Sequence, residues 1–205
     1  MRKLLRIDAS VRVKGSHSRN LADFFEEAWR KANPNGEVLK RDLALVPIPH
    51  LRNETVEAFY VPEPDQNEQN KQAIELSDDL IEELKSVDDV LVSSPLYNLS
   101  IPSTLKAYLD HIIRSGHTFS VNEDGSYKGL LENTNAYVIT TKGEVYTGTP
   151  MEALDFQEPY LKTIFGFINL NLKGVFALEG TAHQDLLKKN VMFQQKMILN
   201  ELSKN

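Results

Sequence analysis

The sequence predicts an α/β domain: a five-stranded parallel sheet of order 2-1-3-4-5, with helices on both faces in a three-layer sandwich. Three observations predict it. Short apolar runs alternate with amphipathic helical segments along the chain, the pattern of a sheet built by right-handed crossovers. One of those runs, Val87 to Ser94, is almost continuously apolar, as a strand covered on both faces should be. No repeat, low-complexity tract or linker interrupts the 205 residues. Residues 1–205 are therefore expected to form one domain, burying roughly 70% of the unfolded surface.

Leu4 to Ala9 reads as the first strand. A helix follows from Ser18 to about Ala32, with Leu21, Phe24, Phe25, Ala28 and Trp29 at helical spacing. Ser18 is placed to cap it, and Pro34-Asn35-Gly36 to end it. Glu37 to Leu43 is a second strand, less apolar, as an edge strand is. Residues 46–66 contain Pro47, Pro49, Pro62 and Pro64 and read as an irregular excursion, a length more often functional than idle. Asn67 to Ser86 is a helix that buries Ile74, Leu80, Ile81 and Leu84 and leaves a solvated acidic face. After the third strand, a short loop leads into a helix over Pro102 to Arg114. Thr118 to Lys128 reads as a small hairpin turned at Asn122-Glu123-Asp124-Gly125. Ala136 to Thr141 and Leu172 to Leu178 complete the sheet, with helices near 159–168 and over 184–202.

Composition removes several function classes. The 23 basic and 29 acidic residues leave a formal charge of −6, which gives no reason to expect a nucleic-acid partner, whose binding rests on neutralising phosphates. There are no cysteines, so disulfide scaffolds, thiolate catalysis and cysteine-bound metals are excluded. His17, His50, His111, His117 and His183 show no metal-ligand spacing, and most read as surface or packing histidines. Asp8, within the first strand, reads as structural. No stretch of about 18 apolar residues suggests a membrane span. The opening MRKLLRIDAS is broken by Arg6 and Asp8 and reads as a strand rather than a signal peptide, so a cytoplasmic protein without a membrane partner is the expectation.

In the predicted strand order, the loops after the first, third and fourth strands converge at the carboxyl edge of the sheet, where open α/β folds bind ligands. The first loop, Ser10 to Arg19, enters a helix. It offers unpaired amides, the hydroxyls of Ser10, Ser16 and Ser18, and Gly15 for a tight turn, a natural seat for a monophosphate. His17 lies within it. Neither GxxxxGK[ST] nor GxGxxG is present, which argues against a triphosphate P-loop or a dinucleotide site. The second loop holds Leu96, Tyr97, Asn98 and Leu99 between Pro95 and Pro102. Its amides and the Asn98 amide group suit a flat heteroaromatic edge, and Leu96 and Leu99 suit a ring face. In the third loop, Thr141-Lys142-Gly143-Glu144, Gly143 permits close backbone approach, and Lys142 or nearby amides suit negative charge on a ring edge.

The second loop matches P-x-Y-N-x-x-x-P-x-x-L-K-x-Y-x-D. With RDL at 41–43, Pro47-Ile48-Pro49, LSDDLIEELK, Gly116-x-Thr118-Phe119 and Pro159-Tyr160-Leu161, the chain resembles, over nearly its whole length, the FMN-dependent NAD(P)H:quinone oxidoreductases of the azoreductase family. The resemblance implies a flavodoxin-like fold, bound FMN, NADH or NADPH as donor, and quinones or azo compounds as acceptors. It places the FMN phosphate on Ser10, Ser16, His17 and Ser18, the ring on Leu96 to Leu99 and Thr141 to Glu144, and Phe119 in the wall of the substrate pocket. No protein nucleophile is expected, since hydride passes through flavin N5 by ping-pong turnover. The family usually has two adjacent glycines after a basic residue in the third loop, whereas here Glu144 follows Gly143. The resemblance also implies a homodimer with shared sites. A surplus of apolar groups on 102–114 and 159–168, including Tyr108, Ile112, Tyr160, Ile164 and Phe165, agrees with that.

Three other functions are compatible with parts of this sequence. An electron-transfer flavodoxin would bind FMN without a substrate of its own, but usually carries a T/S-x-T-G-x-T loop that is absent here. A phosphodiesterase, an older label in the family, would need a two-metal carboxylate cluster or a Ser-His-Asp set, and neither is evident. A purely structural domain would bind no flavin.

Overall fold

The computed structural model describes residues 1–204. In chain order its elements are β1 (Lys3–Asp8), α1 (His17–Ala32), β2 (Glu37–Asp42), α2 (Asn53–Phe59), α3 (Glu68–Lys85), β3 (Asp89–Pro95) and α4 (Ser103–Ile112). A hairpin of β4 (Phe119–Val121) and β5 (Tyr127–Gly129) follows, then β6 (Asn135–Thr141), α5 (Gln157–Phe167), β7 (Asn171–Leu178) and α6 (Gln184–Leu202). The main sheet has the order β2-β1-β3-β6-β7, and every pairing in it is parallel. This is the predicted 2-1-3-4-5 order, with the antiparallel hairpin as a separate appendage.

Alternation along the central strands sends successive side chains into two cores. On one face Leu4, Leu91, Tyr137 and Phe176 meet Leu21, Phe25 and Trp29 of α1 and Ile198 and Leu202 of α6. On the other, Leu5, Ile7, Val90, Val92 and Val138 meet Leu80, Ile81 and Leu84 of α3, Leu105 and Tyr108 of α4, and Leu161 and Phe165 of α5. Trp29 is 1% exposed and donates its indole N–H to Asp89 at 2.9 Å, which leaves no polar group of the ring unpaired in the core. Reciprocal Asn67–Asn70 bonds start α3, so the predicted boundary at Asn67 has a capping cause.

Two expectations are corrected. The 46–66 excursion is not irregular throughout: it holds α2 and a 3-10 turn at Glu63–Asp65, and Phe59 of α2 lies under the Arg114 guanidinium, 4.5 Å from its ring centroid. The apolar groups of α4 and α5 are largely used within the chain. Tyr108, Ile112, Phe165 and Ile168 are buried, and Ile113, Tyr160, Ile164 and Phe167 are half-buried against the same core. Those two helices by themselves therefore do not argue for an interface.

Candidate functional site

Parallel strands place all their carboxyl ends at one edge, and backbone bonds tie the loops there together. Ala9 N–H donates to the Ser93 carbonyl at 2.9 Å, and Leu96 N–H to the Thr141 carbonyl at 2.8 Å. The Ser10 hydroxyl lies 3.5 Å from the Tyr97 hydroxyl. The three predicted loops thus meet in one crevice.

At the first loop, the N-cap of α1 is Ser16 rather than Ser18, and its side chain makes no capping bond. Its hydroxyl instead lies 3.2 Å from that of Ser18. Helical bonding begins with Asn20 N–H to the Ser16 carbonyl, so among the described residues the amides of His17, Ser18 and Arg19 find no acceptor. Three free amides and two buried hydroxyls at the positive end of a helix dipole are a donor set suited to an anion. Gly15 at φ +65° makes the turn that brings the chain in.

The charges under this loop are already paired. Arg19 donates to the Ser10 carbonyl at 2.7 Å and to Asp42 at 2.7 Å. Its bond is the main cause holding the Asp42 carboxyl below its ordinary range. Arg6, 3% exposed, bonds Asp8, Asp23 and Glu26, and Asp8 accepts from the Ser93 hydroxyl at 2.6 Å. Asp8 is structural, as its position in the strand suggested.

In the second loop, Asn98 and Leu99 have φ of 47° and 71°, and Tyr97 and Ser100 bond each other reciprocally across them at 2.9 and 3.1 Å. Two consecutive left-handed residues make a primed turn. For a bulky residue such as Leu99 this conformation is strained, a feature that concentrates at functional sites. The Leu96 and Tyr97 amides are used internally, whereas those of Asn98 and Leu99 have no partner among the described residues. The loop rests on Gln157, fully buried, which donates to the carbonyl and hydroxyl of Ser94 at 3.0 Å each. Beside it a cavity of about 530 Å³ is lined by His50, Tyr97, Asn98, Ile101, Lys106 and Tyr160, among others.

The third loop is laced to the one after β7. Its carbonyls at Lys142, Gly143 and Glu144 accept from Thr181, Ala182 and Gly180 at 3.0, 3.0 and 3.1 Å. A trans peptide points its N–H opposite to its C=O, so the amides of Gly143, Glu144 and Val145 turn away from the β7 loop. None of them has a partner among the described residues, and a Cβ built on Gly143 would meet nothing within 4 Å. The Lys142 side chain does not face this amide row, which corrects the expectation that its charge serves a ring edge. It is 1% exposed, with its ammonium 2.6 Å from Asp155 and 3.0 Å from Glu179. Burial pulls its pKa down, but bonds from Asp155 and Glu179 outweigh that and hold it above the ordinary lysine value. Glu144 is exposed and pairs with His183 Nε2 at 2.8 Å.

Asp155, Gln157, Glu179 and the β7–α6 loop were missed from the sequence. Glu179 stands at the carboxyl end of the fifth strand, and the rule that singled out three loops applies equally to that one. Phe119 does not border the crevice of its own chain. It packs at 4.7 Å on Phe167, at the end of α5 just before β7 begins. That places it at the amino edge of the sheet, roughly 20 Å from the crevice by the length of a seven-residue strand.

The donor set fits a ligand with a phosphate at one end and a flat, electronegative edge at the other. No helix of the described residues is long and apolar enough to cross a membrane, and no metal-binding group of three ligands occurs among them. A family model described as a flavodoxin-like fold matches residues 2–197. A Hydrogenovibrio crunogenus protein named FMN-dependent NADH:quinone oxidoreductase is 45% identical over 170 residues, covering 83% of this chain and 84% of its own. An Azotobacter vinelandii protein of the same name is 41% identical over 196 residues, covering 96% and 94%. Among solved structures, an azoreductase from Bacillus anthracis superimposes with a TM-score of 0.91 at 23% identity over 100% of both chains. An FMN-dependent NADH-azoreductase from that species, in complex with FMN, does so at 0.86 and 24%, covering 98% of this chain and 99% of its own; at such identities these two speak for the fold. On the family match and the close relatives together, the chain belongs to the flavodoxin-like family that includes the FMN-dependent NADH:quinone oxidoreductases.

Proposed function

We propose that this protein is an FMN-dependent NADH:quinone oxidoreductase, able to reduce aromatic azo compounds as well. The observation that carries the reading is the set of unpaired amides at one sheet edge. Those of His17, Ser18 and Arg19 suit the FMN phosphate, while those of Asn98, Leu99 and Gly143 to Val145 suit the polar rim of its ring. FMN held by these residues would supply two-electron redox chemistry between NADH and the acceptor. The chain's own residues bind and orient: Ser16 and Ser18 add hydroxyl donors, Leu96 and Leu99 flank the ring, and the Asn98 side chain supplies both donor and acceptor. One crevice serving two flat substrates in turn implies ping-pong turnover. An NADH donor suits a cytoplasmic location.

Anaerobic NADH, added to the FMN-loaded protein, is expected to bleach the flavin band stoichiometrically. After removal of NAD⁺, one equivalent of a benzoquinone restores the band. Bleaching that only a ternary mixture reverses would rule out the ping-pong order, and a flavin that NADH cannot bleach would favour the carrier reading.

Phe119 lies at the wrong edge to wall its own crevice, so its expected role requires a homodimer in which each chain's Phe119, Tyr127 and Phe167 cluster borders the partner's site. Tyr127 is 64% exposed, and its ring packs on Phe167 at 5.3 Å, leaving an aromatic surface to cover. Mixed dimers provide the test. Combining Phe119→Ala protomers with protomers unable to bind FMN is expected to regenerate one intact site per heterodimer and recover activity. No recovery on mixing, or a monomer in sedimentation, would sink the shared site.

A further inference from the structure

The amide row of Gly143, Glu144 and Val145 has a competitor built into it. Glu144 carries a carboxylate on the same three-residue segment, and a carboxylate beside unpaired amides is their natural acceptor. In this structure the carboxylate is held elsewhere. His183, at the N-cap of α6, binds Glu144 Oε2 through Nε2 at 2.8 Å, on the β7 side of the loop. The carbonyls of residues 142–144 are anchored on that same side, and the amides point away from it. Glu144 is 57% and His183 51% exposed. An exposed pair contributes little to stability; what this one controls is where the carboxylate goes.

We propose that His183 is a positioning residue that holds Glu144 off the 143–145 amides, and that Glu144, once released, occupies those amides and competes with the ligand's ring edge. This rests on the reading that FMN binds here. The restraint has no need of a charged imidazole, since a neutral ring with Nε2–H donates the same bond. The charged and titratable groups on the surrounding elements are these. Glu179 and Lys142 hold each other at 3.0 Å, Asp185 lies in the first turn of α6, and Lys188 and Lys189 follow on that helix. His17 stands at the start of α1.

The pair predicts masking epistasis in FMN affinity, the effect of His183→Ala vanishing when Glu144 is absent, read by quenching of flavin fluorescence on the apo protein. His183→Ala is expected to weaken FMN binding about three- to tenfold, the effect of one carboxylate near the ring edge in a half-exposed site. Glu144→Ala leaves binding equal to or tighter than wild type. The double variant returns to the level of Glu144→Ala, and His183→Gln, which still donates to Glu144, stays near wild type. A structural role for His183 would give a double variant as weak as His183→Ala, and would overturn the proposal, as would His183→Ala binding like wild type. If wild-type protein binds no FMN, the cofactor reading fails first and this inference falls with it. If wild type binds and the four variants show no epistasis, only this inference falls.

Discussion

Replacing Ser16 with Asp is expected to stabilise the flavin-free protein while reducing its FMN affinity at least about a hundredfold. Ser16 is the N-cap of α1 yet makes no capping bond, so the amides of the first turn stay open. An aspartate there is a good N-cap and bonds those amides itself, contributing about 1 kcal/mol from the cap and the helix dipole. The same carboxylate stands where the cofactor's phosphate would sit. Two negative charges about 5 Å apart, at an effective dielectric near 20, oppose each other by roughly 3 kcal/mol, more than a factor of a hundred in affinity. Opposite signs in one substitution distinguish a ligand seat from an ordinary helix start. Thermal unfolding of the apo protein and FMN titration read the two effects. An affinity unchanged from wild type would remove the phosphate from this loop. Lower apo stability would mean that the Ser16 environment, 5% exposed, cannot admit the extra atoms.

The larger effect on stability is expected from Lys142→Met. The ammonium sits 2.6 Å from Asp155, 3.0 Å from Glu179 and 3.6 Å from Glu158. Glu179 also accepts the amides of Tyr146 and Thr147, so the cluster fixes the base of the third loop. Removing the cation leaves buried carboxylates facing one another, a change that costs about 3–5 kcal/mol, a large share of the total for a domain of this kind. The pH dependence carries a sign. Burial pushes the Glu179 pKa up, but the bond from Lys142 and the amides of Thr147 and Tyr146 outweigh it and hold the group below its ordinary value of 4.5. Its contribution is therefore present above that value and lost as pH falls through the lower, folded one. Lys142 is held above its ordinary 10.5, so its contribution is complete below 10.5 and lost on further alkalinisation. In the variant the carboxylates repel, and protonating them brings relief. The stability gap between wild type and Lys142→Met should thus narrow between pH 7 and about pH 4.5, measured by urea unfolding at each pH. A gap independent of pH, or no gap at pH 7, would show that the three carboxylates do not depend on this lysine.

These two positions also show how far the sequence could be read. Ser16 was legible as part of the seat because its setting is local: a serine-rich loop between an apolar strand and an amphipathic helix marks a helix start, and free amides follow from helix geometry. Which serine is the cap, Ser16 and not the expected Ser18, was settled only by the fold. Lys142 was misjudged because a lysine stem is long and flexible. Its direction was decided by Asp155 and Glu179, which approach from other loops only once β6 and β7 pair. The seven-residue α2 escaped notice for a different reason. Two turns give too few repeats for a periodic pattern, and much of its stabilisation comes from packing, Phe59 against Arg114 included.

Residue periodicity, strand burial and turn chemistry are short-range properties, and they sufficed for the five-stranded order and for the gathering of three loops at one edge. Which edge Phe119 occupies, where the Lys142 charge goes, and that His183 meets Glu144 are long-range outcomes. Each depends on the register between elements far apart in the chain, which the packing of both cores against the sheet sets and no local pattern encodes.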